Sequence, residues 1–202
     1  MKKTKSAFLT LLAVLLSPMA ANADVIAETG DAGELLGAEQ NVANNTTAIT
    51  GNLVTATADM FGFNWGGGSL TIATVSSAFD TQLSLFDDLG FGLVHDDDSG
   101  AGLLSSITSV LAAGNYLIAV SGYNYDPQSA GGAIFPTGFP GPYGPTGPGG
   151  GSALSGWGGT AFSGGDYRIN FSSAVNAVPE PGTLALLGIG LFGMGLARRK
   201  KV

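Results

Sequence analysis

An acidic segment is the part of this sequence whose residue types are best suited to chemistry. It runs from residue 80 to residue 98 and holds six aspartates within nineteen residues, with no lysine or arginine among them. Carboxylates this crowded repel one another unless water or a bound cation separates their charges. Calcium suits such a group because it accepts roughly six to eight hard oxygen ligands in flexible geometry. Calcium is therefore the one cofactor that the sequence suggests, and its candidate ligands are Asp80, Asp87, Asp96, Asp97 and Asp98.

The spacing of these aspartates does not match a known calcium loop. Asp96-x-Asp98-x-Gly100 is typical of the start of an EF-hand loop, but the twelfth position is Ile107 rather than the required glutamate. Two interpretations stay open. One is a looser site built from loop carboxylates and backbone carbonyls. The other is a solvated acidic turn whose aspartates accept hydrogen bonds from their own backbone amides.

The single histidine, His95, adjoins the aspartates at the end of a predicted strand. A His-Asp pair could supply a general base, but acyl transfer also needs a positioned nucleophile, and the chain has no cysteine and no Gly-x-Ser-x-Gly sequence. One histidine without cysteine also disfavours zinc. We interpret His95 as a turn residue and predict a protein that is not an enzyme. A secreted hydrolase is the less favoured alternative, since the carboxylates share one acidic turn with no sign that their pKa values are pushed apart.

Short strands must position these residues. From Ile49 onward, apolar side chains alternate with polar ones in runs separated by glycine or aspartate. Further strand candidates are 70–75, 92–95 and 103–110. Regular short strands without intervening helices predict an all-β fold, an antiparallel, jelly-roll-like β-sandwich of about eight short strands. The predicted core consists of Phe61, Phe63, Trp65, Leu83, Leu85, Tyr116, Ile118, Val120, Tyr167, Ile169 and Phe171.

A glycine- and proline-rich insertion, residues 126–160, interrupts the strands. Glycine recurs at every third position from Gly138 to Gly150, but so few triplets cannot offset the cost of ordering a collagen-like triple helix. We expect an extended, polyproline-like surface loop. Its aromatic side chains, Tyr143 and Trp157 among them, either stack on a sugar polymer or fold back on the sandwich, and the sequence does not choose between these.

The N-terminal segment, residues 1–23, has the order of a secretory signal peptide. Three lysines precede an apolar helical stretch, and the small residues Ala21 and Ala23 suit a signal peptidase. We expect export through the Sec translocon and cleavage before Asp24. An extended acidic lead-in, residues 24–48, then precedes the sandwich domain, residues 49–177.

The C-terminal segment has three ordered parts. Pro179-Glu180-Pro181 precedes a short, glycine-broken hydrophobic helix at 182–197, and a basic cluster ends the chain. Residues 178–202 therefore resemble the PEP-CTERM sorting signal. This resemblance implies transient anchoring in the inner membrane, recognition by an exosortase, removal of the tail, and delivery to the cell surface or an extracellular polysaccharide matrix. An ordinary membrane anchor is the alternative.

Charge narrows the choice of partners. Between the two processed ends, Arg168 is the single basic residue against fourteen acids, so the body carries a net charge near −13. Such a surface repels nucleic acid and attracts divalent cations. Without cysteine, no disulfide can stabilise the fold.

The body also resembles a known module. Asp59-Met60-Phe61-Gly62-Phe63, the run 79–87, the acidic turn 96–100, the run 111–116 and Gly165-Asp166-Tyr167 are similar in order to the bacterial pre-peptidase C-terminal (PPC) domain. The resemblance implies a β-sandwich without a catalytic centre, of a kind that binds matrix polymers and sometimes calcium. We expect an exported structural or polymer-binding component of the envelope or biofilm matrix, with exopolysaccharide as partner. A calcium-dependent adhesion or self-assembly module is the alternative.

Overall fold

The computed structural model describes residues 24–136, 141–160 and 163–179. The predicted signal peptide with Ala21 and Ala23, and the predicted sorting helix with Glu180 and Pro181, lie outside these ranges. Thirteen strands form within them, and no segment there is a helix with the length and apolar character needed to cross a membrane.

In chain order the strands are β1 (Asp24–Ala27), β2 (Gln40–Asn41), β3 (Thr46–Leu53), β4 (Ala58–Trp65), β5 (Gly68–Ser77), β6 (Thr81–Asp87), β7 (Gly92–Asp96), β8 (Ser106–Leu111), β9 (Gly114–Gly122), β10 (Tyr125–Ser129), β11 (Gly132–Ala133), β12 (Leu154–Gly159) and β13 (Gly165–Val175).

Ten of these strands form two five-stranded sheets packed face to face. The outer sheet has the order β1-β3-β13-β5-β8, and the central sheet has the order β2-β4-β9-β6-β7. The predicted all-β sandwich is confirmed. Its strand number exceeds about eight because the lead-in contributes β1 and β2, which add a parallel edge strand to each sheet while the other pairings in the two sheets are antiparallel.

The space between the two sheets holds the main core. Alternation along each strand sends every second side chain inward, and the predicted core residues are all buried here except Trp65, which is partly buried against them. The ring of Phe63 lies at the centre, 5.8 Å from the ring of Tyr116 and 5.5 Å from that of Phe171. The inward-facing set read from the sequence is therefore confirmed.

The central sheet is buried on its other face as well. Met60, Phe86 and Leu117 point away from the main core and pack against Phe135 and Leu154 in a second apolar cluster. Covering both faces explains why β4, β6 and β9 are buried along nearly their whole length.

The insertion supplies that second cover, so it is not the extended surface loop expected from its composition. Its described residues form a three-stranded cover sheet, β11-β10-β12, and residues 147–149 of the glycine-proline run bond to the segment at β11. The amides of Gly147 and Gly149 donate to the carbonyls of Ile134 and Ala133 at 3.0 and 2.9 Å. Any Cβ at Gly147 or Gly149 would collide with backbone atoms of the facing chain, so close approach explains these glycines.

The C-terminal end of the body is fastened to the central sheet just before the described residues end. Asn176 pairs with Asn64 through two backbone hydrogen bonds of 2.7 and 3.0 Å. The Ala177 amide then donates to the Asn44 side chain at 3.2 Å.

Candidate functional site

Three of the predicted calcium ligands meet in one place, which we call the acidic pocket: Asp80, Asp97 and Asp98. Asp80 directly precedes β6 and the other two follow β7. Because β6 and β7 are antiparallel, with Leu83 opposite Asp96, these positions lie at the same end of the sheet. One carboxylate oxygen from each aspartate lies within 4.8 Å of the others.

The acidic pocket is partly closed to solvent. Asp97 is only 3% exposed, and one oxygen of each of the three carboxylates is buried without a hydrogen-bond partner. Burial, followed by the neighbouring charges of Asp98, Asp80, Asp96 and Asp126, raises the pKa of Asp97 to about 7. Burial and Asp98 likewise raise the pKa of Asp80. An uncompensated group of this kind favours either protonation or a bound cation.

The other two predicted ligands have different contacts. Asp96 accepts hydrogen bonds through Oδ2 from the amides of Ser99 and Ser106, at 3.2 and 2.6 Å, and so braces the loop after β7. Asp87 accepts through Oδ1 from the amides of Leu89 and Phe91, at 3.0 and 2.8 Å, and so closes the turn between β6 and β7. Both contacts are the common role of aspartate in turns. A metal role for either residue stays a prediction.

A buried hydroxyl network fixes the floor beside the acidic pocket. Thr81, next to Asp80, has its Oγ1 2.9 Å from that of Thr74 on the outer sheet and 3.0 Å from the Ser105 hydroxyl. The Ser105 hydroxyl also donates to the Thr81 carbonyl at 2.7 Å. All three hydroxyls are partnered, so the network ties one end of the loop that carries Asp97 and Asp98 to β5 and β6.

A second acidic group, the N-terminal cluster, consists of Glu28, Asp31 and Asp59. Their carboxylate oxygens also lie within 4.8 Å of one another. Asp59 is fully buried on β4, and neither of its oxygens makes a well-formed hydrogen bond. The buried Tyr167 hydroxyl beside it also lacks such a bond. Glu28 is positioned by the amides of Ala32 and Asn52, which donate to it at 2.8 and 3.0 Å.

The electrostatics of the N-terminal cluster oppose ionisation. Burial is the main cause that raises the pKa of Asp59 to about 7; contact with Tyr167 acts in the opposite direction, and the charges of Glu28 and Asp31 raise it further. Burial and the Asp59 charge raise the pKa of Tyr167 as well. A cleft of about 570 Å³ adjoins the cluster, lined in part by Glu28, Tyr167 and Arg168.

The sequence alone does not bring Asp59 together with Glu28 and Asp31. The missed signal is the alternation of β4. Asp59 shares its face with Phe61 and Phe63, both of which lie in the main core. An ionisable residue in register with core side chains indicates a partnered or functional group.

His95 lies within β7 and not in a turn, because its backbone pairs with Ser84 on one side and Tyr143 on the other. Its Nδ1 is 2.8 Å from the Ser84 hydroxyl, and its ring stacks on Phe135 at 5.2 Å. Burial lowers its pKa to about 4. Ser84 is fully buried, so this serine-histidine pair packs the sheet and is closed to a substrate.

The two predicted binding aromatics differ in how they are held. Trp157 stacks on Tyr125 with a 5.8 Å centroid separation, and its Nε1 donates to the Glu34 carbonyl at 2.7 Å. Tyr143 bonds His95 through backbone atoms only, at 2.9 and 2.7 Å. Both residues are partly exposed. Polymer binding by either residue stays a prediction.

Comparison with known proteins identifies the tail. Residues 177–201 match the PEP-CTERM protein-sorting motif, which confirms the predicted sorting signal and marks the chain as an exported protein that an exosortase sorts. No curated protein matches the chain. Among solved structures, the pre-peptidase C-terminal domain of collagenase from Bacillus anthracis is similar, with 12% identity and a TM-score of 0.40. The match covers 66% of this chain and 93% of that one.

Proposed function

We propose, starting from the sorting motif at residues 177–201, that an exosortase delivers this chain to the cell surface or the extracellular matrix. There it acts as a non-catalytic structural or polymer-binding module, with exopolysaccharide as its partner. The sorting motif is the single observation that carries the proposal. The strongly acidic body supports it, because a net charge near −13 disfavours anionic partners and suits a hydrated, cation-containing matrix.

Sorting is tested by fractionating cells that produce the full chain with an internal tag. In cells with an exosortase, the chain should lose its tail and move from the membrane to the surface or medium. Alanine at Pro179, Glu180 and Pro181 together, or deletion of the exosortase, should retain it in the membrane. Val202→Ala, just beyond the matched residues, is the control. Unchanged release of the triple variant would contradict the proposal.

Polymer binding is best tested at Tyr143. Its contacts with His95 use the main chain, so Tyr143→Ala keeps them, whereas Trp157→Ala also removes a hydrogen bond to Glu34. Aromatic stacking on a sugar predicts that Tyr143→Ala weakens retention on the producer's exopolysaccharide and Tyr143→Phe does not. Equal retention of wild type and Tyr143→Ala would rule out this contact.

A calcium-dependent adhesion or self-assembly module is the second candidate. The observation that favours it is the fully buried Asp59 carboxylate, which lacks a well-formed hydrogen bond beside Glu28 and Asp31. A hard cation there would connect the lead-in to β4, because Glu28 and Asp31 belong to the lead-in. Sedimentation of the full chain in calcium and in chelator tests assembly; an unchanged sedimentation coefficient up to about 5 mM calcium would contradict it.

A further inference from the structure

The acidic pocket is unlike a solvated acidic turn, because its central carboxylate is shielded from water. Asp97 is 3% exposed and its Oδ1 has no hydrogen-bond partner; one buried oxygen each of Asp80 and Asp98 is also unpartnered. Arg168 is the single lysine or arginine between residues 24 and 179, and it lies on the outer sheet, where it donates to Asn170. The described chain thus brings no cation of its own to the pocket.

Neutral oxygens beside the acidic pocket are unpartnered as well. Gln82 follows Asp80 by two residues, so strand alternation places both on the same side. Gln82 is 5% exposed, and its Oε1 has no hydrogen-bond partner. Ser121, directly opposite Gln82 on β9, is 1% exposed, and its hydroxyl also lacks one. Buried oxygens left unsatisfied by the protein are costly unless something else binds them.

We infer that the acidic pocket binds one calcium ion, with carboxylate ligands from Asp80, Asp97 and Asp98 and a neutral ligand from Gln82. The combination of several carboxylates with an amide oxygen is a donor set that calcium prefers. This site is distinct from the N-terminal cluster. The inference depends on the proposed export only because calcium is plentiful outside cells.

Such an ion would also fix the insertion on the central sheet. Asp126 of β10 lies close enough for its charge to act on Asp97, and Gln82 contacts it. Beyond Asp98, the Ser99 hydroxyl donates to the Gly141 carbonyl at 3.0 Å. Neutralising the pocket removes the repulsion between the loop after β7 and the first strand of the cover sheet. Calcium should therefore slow amide exchange in the insertion.

The test measures calcium bound per full-length chain, purified in detergent, by equilibrium dialysis up to about 5 mM, above the weak-affinity range of extracellular calcium sites. Asp97→Asn and Asp98→Asn should each bind one calcium ion fewer than wild type. Asp88→Asn, an exposed aspartate of the same acidic segment, should bind as many as wild type. Asp59→Asn alters the N-terminal cluster alone, so it should leave the ion in the acidic pocket in place.

Hydrogen exchange supplies the second measurement. In wild type and Asp88→Asn, calcium should slow exchange at least about threefold at the Gly147 and Gly149 amides, and in the Asp97 variant it should not. Equal calcium binding by wild type and both pocket variants would overturn the inference. So would calcium-independent exchange in wild type. If Asp97→Asn fails to fold, the partly exposed Asp98 carries the test. None of these results depends on sorting or polymer binding.

Discussion

Replacing Asp59 by asparagine should stabilise the protein when no cation is present. The change removes one charge from the core-facing side of β4 and keeps the shape of the side chain. Burial, with Glu28 and Asp31 adding to it, raises the pKa of this carboxyl to about 7. In the unfolded chain an aspartate has a pKa of about 3.9.

The sign and size of the effect follow from these two values. Between about pH 4 and pH 7 the folded chain holds a proton on Asp59 that the unfolded chain has lost, so the free energy of unfolding falls as the pH rises through this window. The difference between these two pKa values corresponds to at most about 4 kcal/mol. Asparagine cannot ionise, so its advantage over wild type should grow by up to that amount between about pH 4 and pH 8.

Urea unfolding of the full chain in chelator, followed by tryptophan fluorescence across this pH range, measures the difference. At pH 8, about 5 mM calcium should raise the free energy of unfolding more in the wild type than in Asp59→Asn, because the variant keeps the acidic pocket but lacks the Asp59 carboxylate. Asp88→Asn, which removes an exposed charge, is the control.

Two results would refute the reasoning about Asp59. A free-energy difference between variant and wild type that stays constant from pH 4 to pH 8 would mean that the pKa of Asp59 is not raised. A variant less stable than wild type at pH 8 in chelator would mean that the carboxylate is ionised and already partnered within the protein.

Three further predictions concern the cover of the central sheet. Phe135→Ala should lower the free energy of unfolding by about 3 to 5 kcal/mol, measured in urea, while Val110→Ala, at a side chain 83% exposed, should change it by less than about 0.5 kcal/mol. Burial lowers the pKa of His95 to about 4, so protonating its ring favours the unfolded chain. The free energy of unfolding should therefore fall by up to about 3 kcal/mol as the pH drops from about 6.5 through 4, and His95→Gln should not show this part of the fall in acid unfolding. Gly149→Ala, whose Cβ would strike the facing backbone, should lower the unfolding temperature, and Gly151→Ala, which faces open space, should not.

The main core could be predicted because it obeys one local rule. Strand alternation identifies Phe61 and Phe63, or Leu83 and Leu85, from neighbouring residues alone. These side chains lie in the main core between the two sheets. The sorting signal could be predicted for the same reason, since its three parts are contiguous in sequence.

The cover of the central sheet could not be predicted in this way, because it depends on contacts between distant segments. Phe135 meets Phe86 with ring centroids 6.1 Å apart although forty-nine residues separate them. A partial signal did exist. The run from Tyr116 to Val120 is apolar at every position, which is typical of a strand buried on both faces.

The two candidate sites also differ in whether they could be predicted from neighbouring residues. Asp97 and Asp98 are adjacent and follow a predicted strand, so their association could be expected. The N-terminal cluster joins Glu28 to Asp59 across thirty-one residues, and it forms because β1 pairs with β3 in parallel at the edge of the outer sheet. Nothing in the local sequence of the lead-in specifies that parallel pairing.

The backbone pairing of Asn176 with Asn64 determines how far the sandwich can stand from the membrane before the tail is cut. Five residues, 177–181, separate this pairing from the predicted span at 182–197. Fully extended, they reach roughly 17 Å. If residues 182–197 span the membrane as the sequence predicts, we expect the folded body to lie close to the lipid headgroups until the tail is removed. Inserting flexible residues into 177–181 would increase the distance between the folded body and the membrane. The rate of tail removal would then show whether this distance controls release.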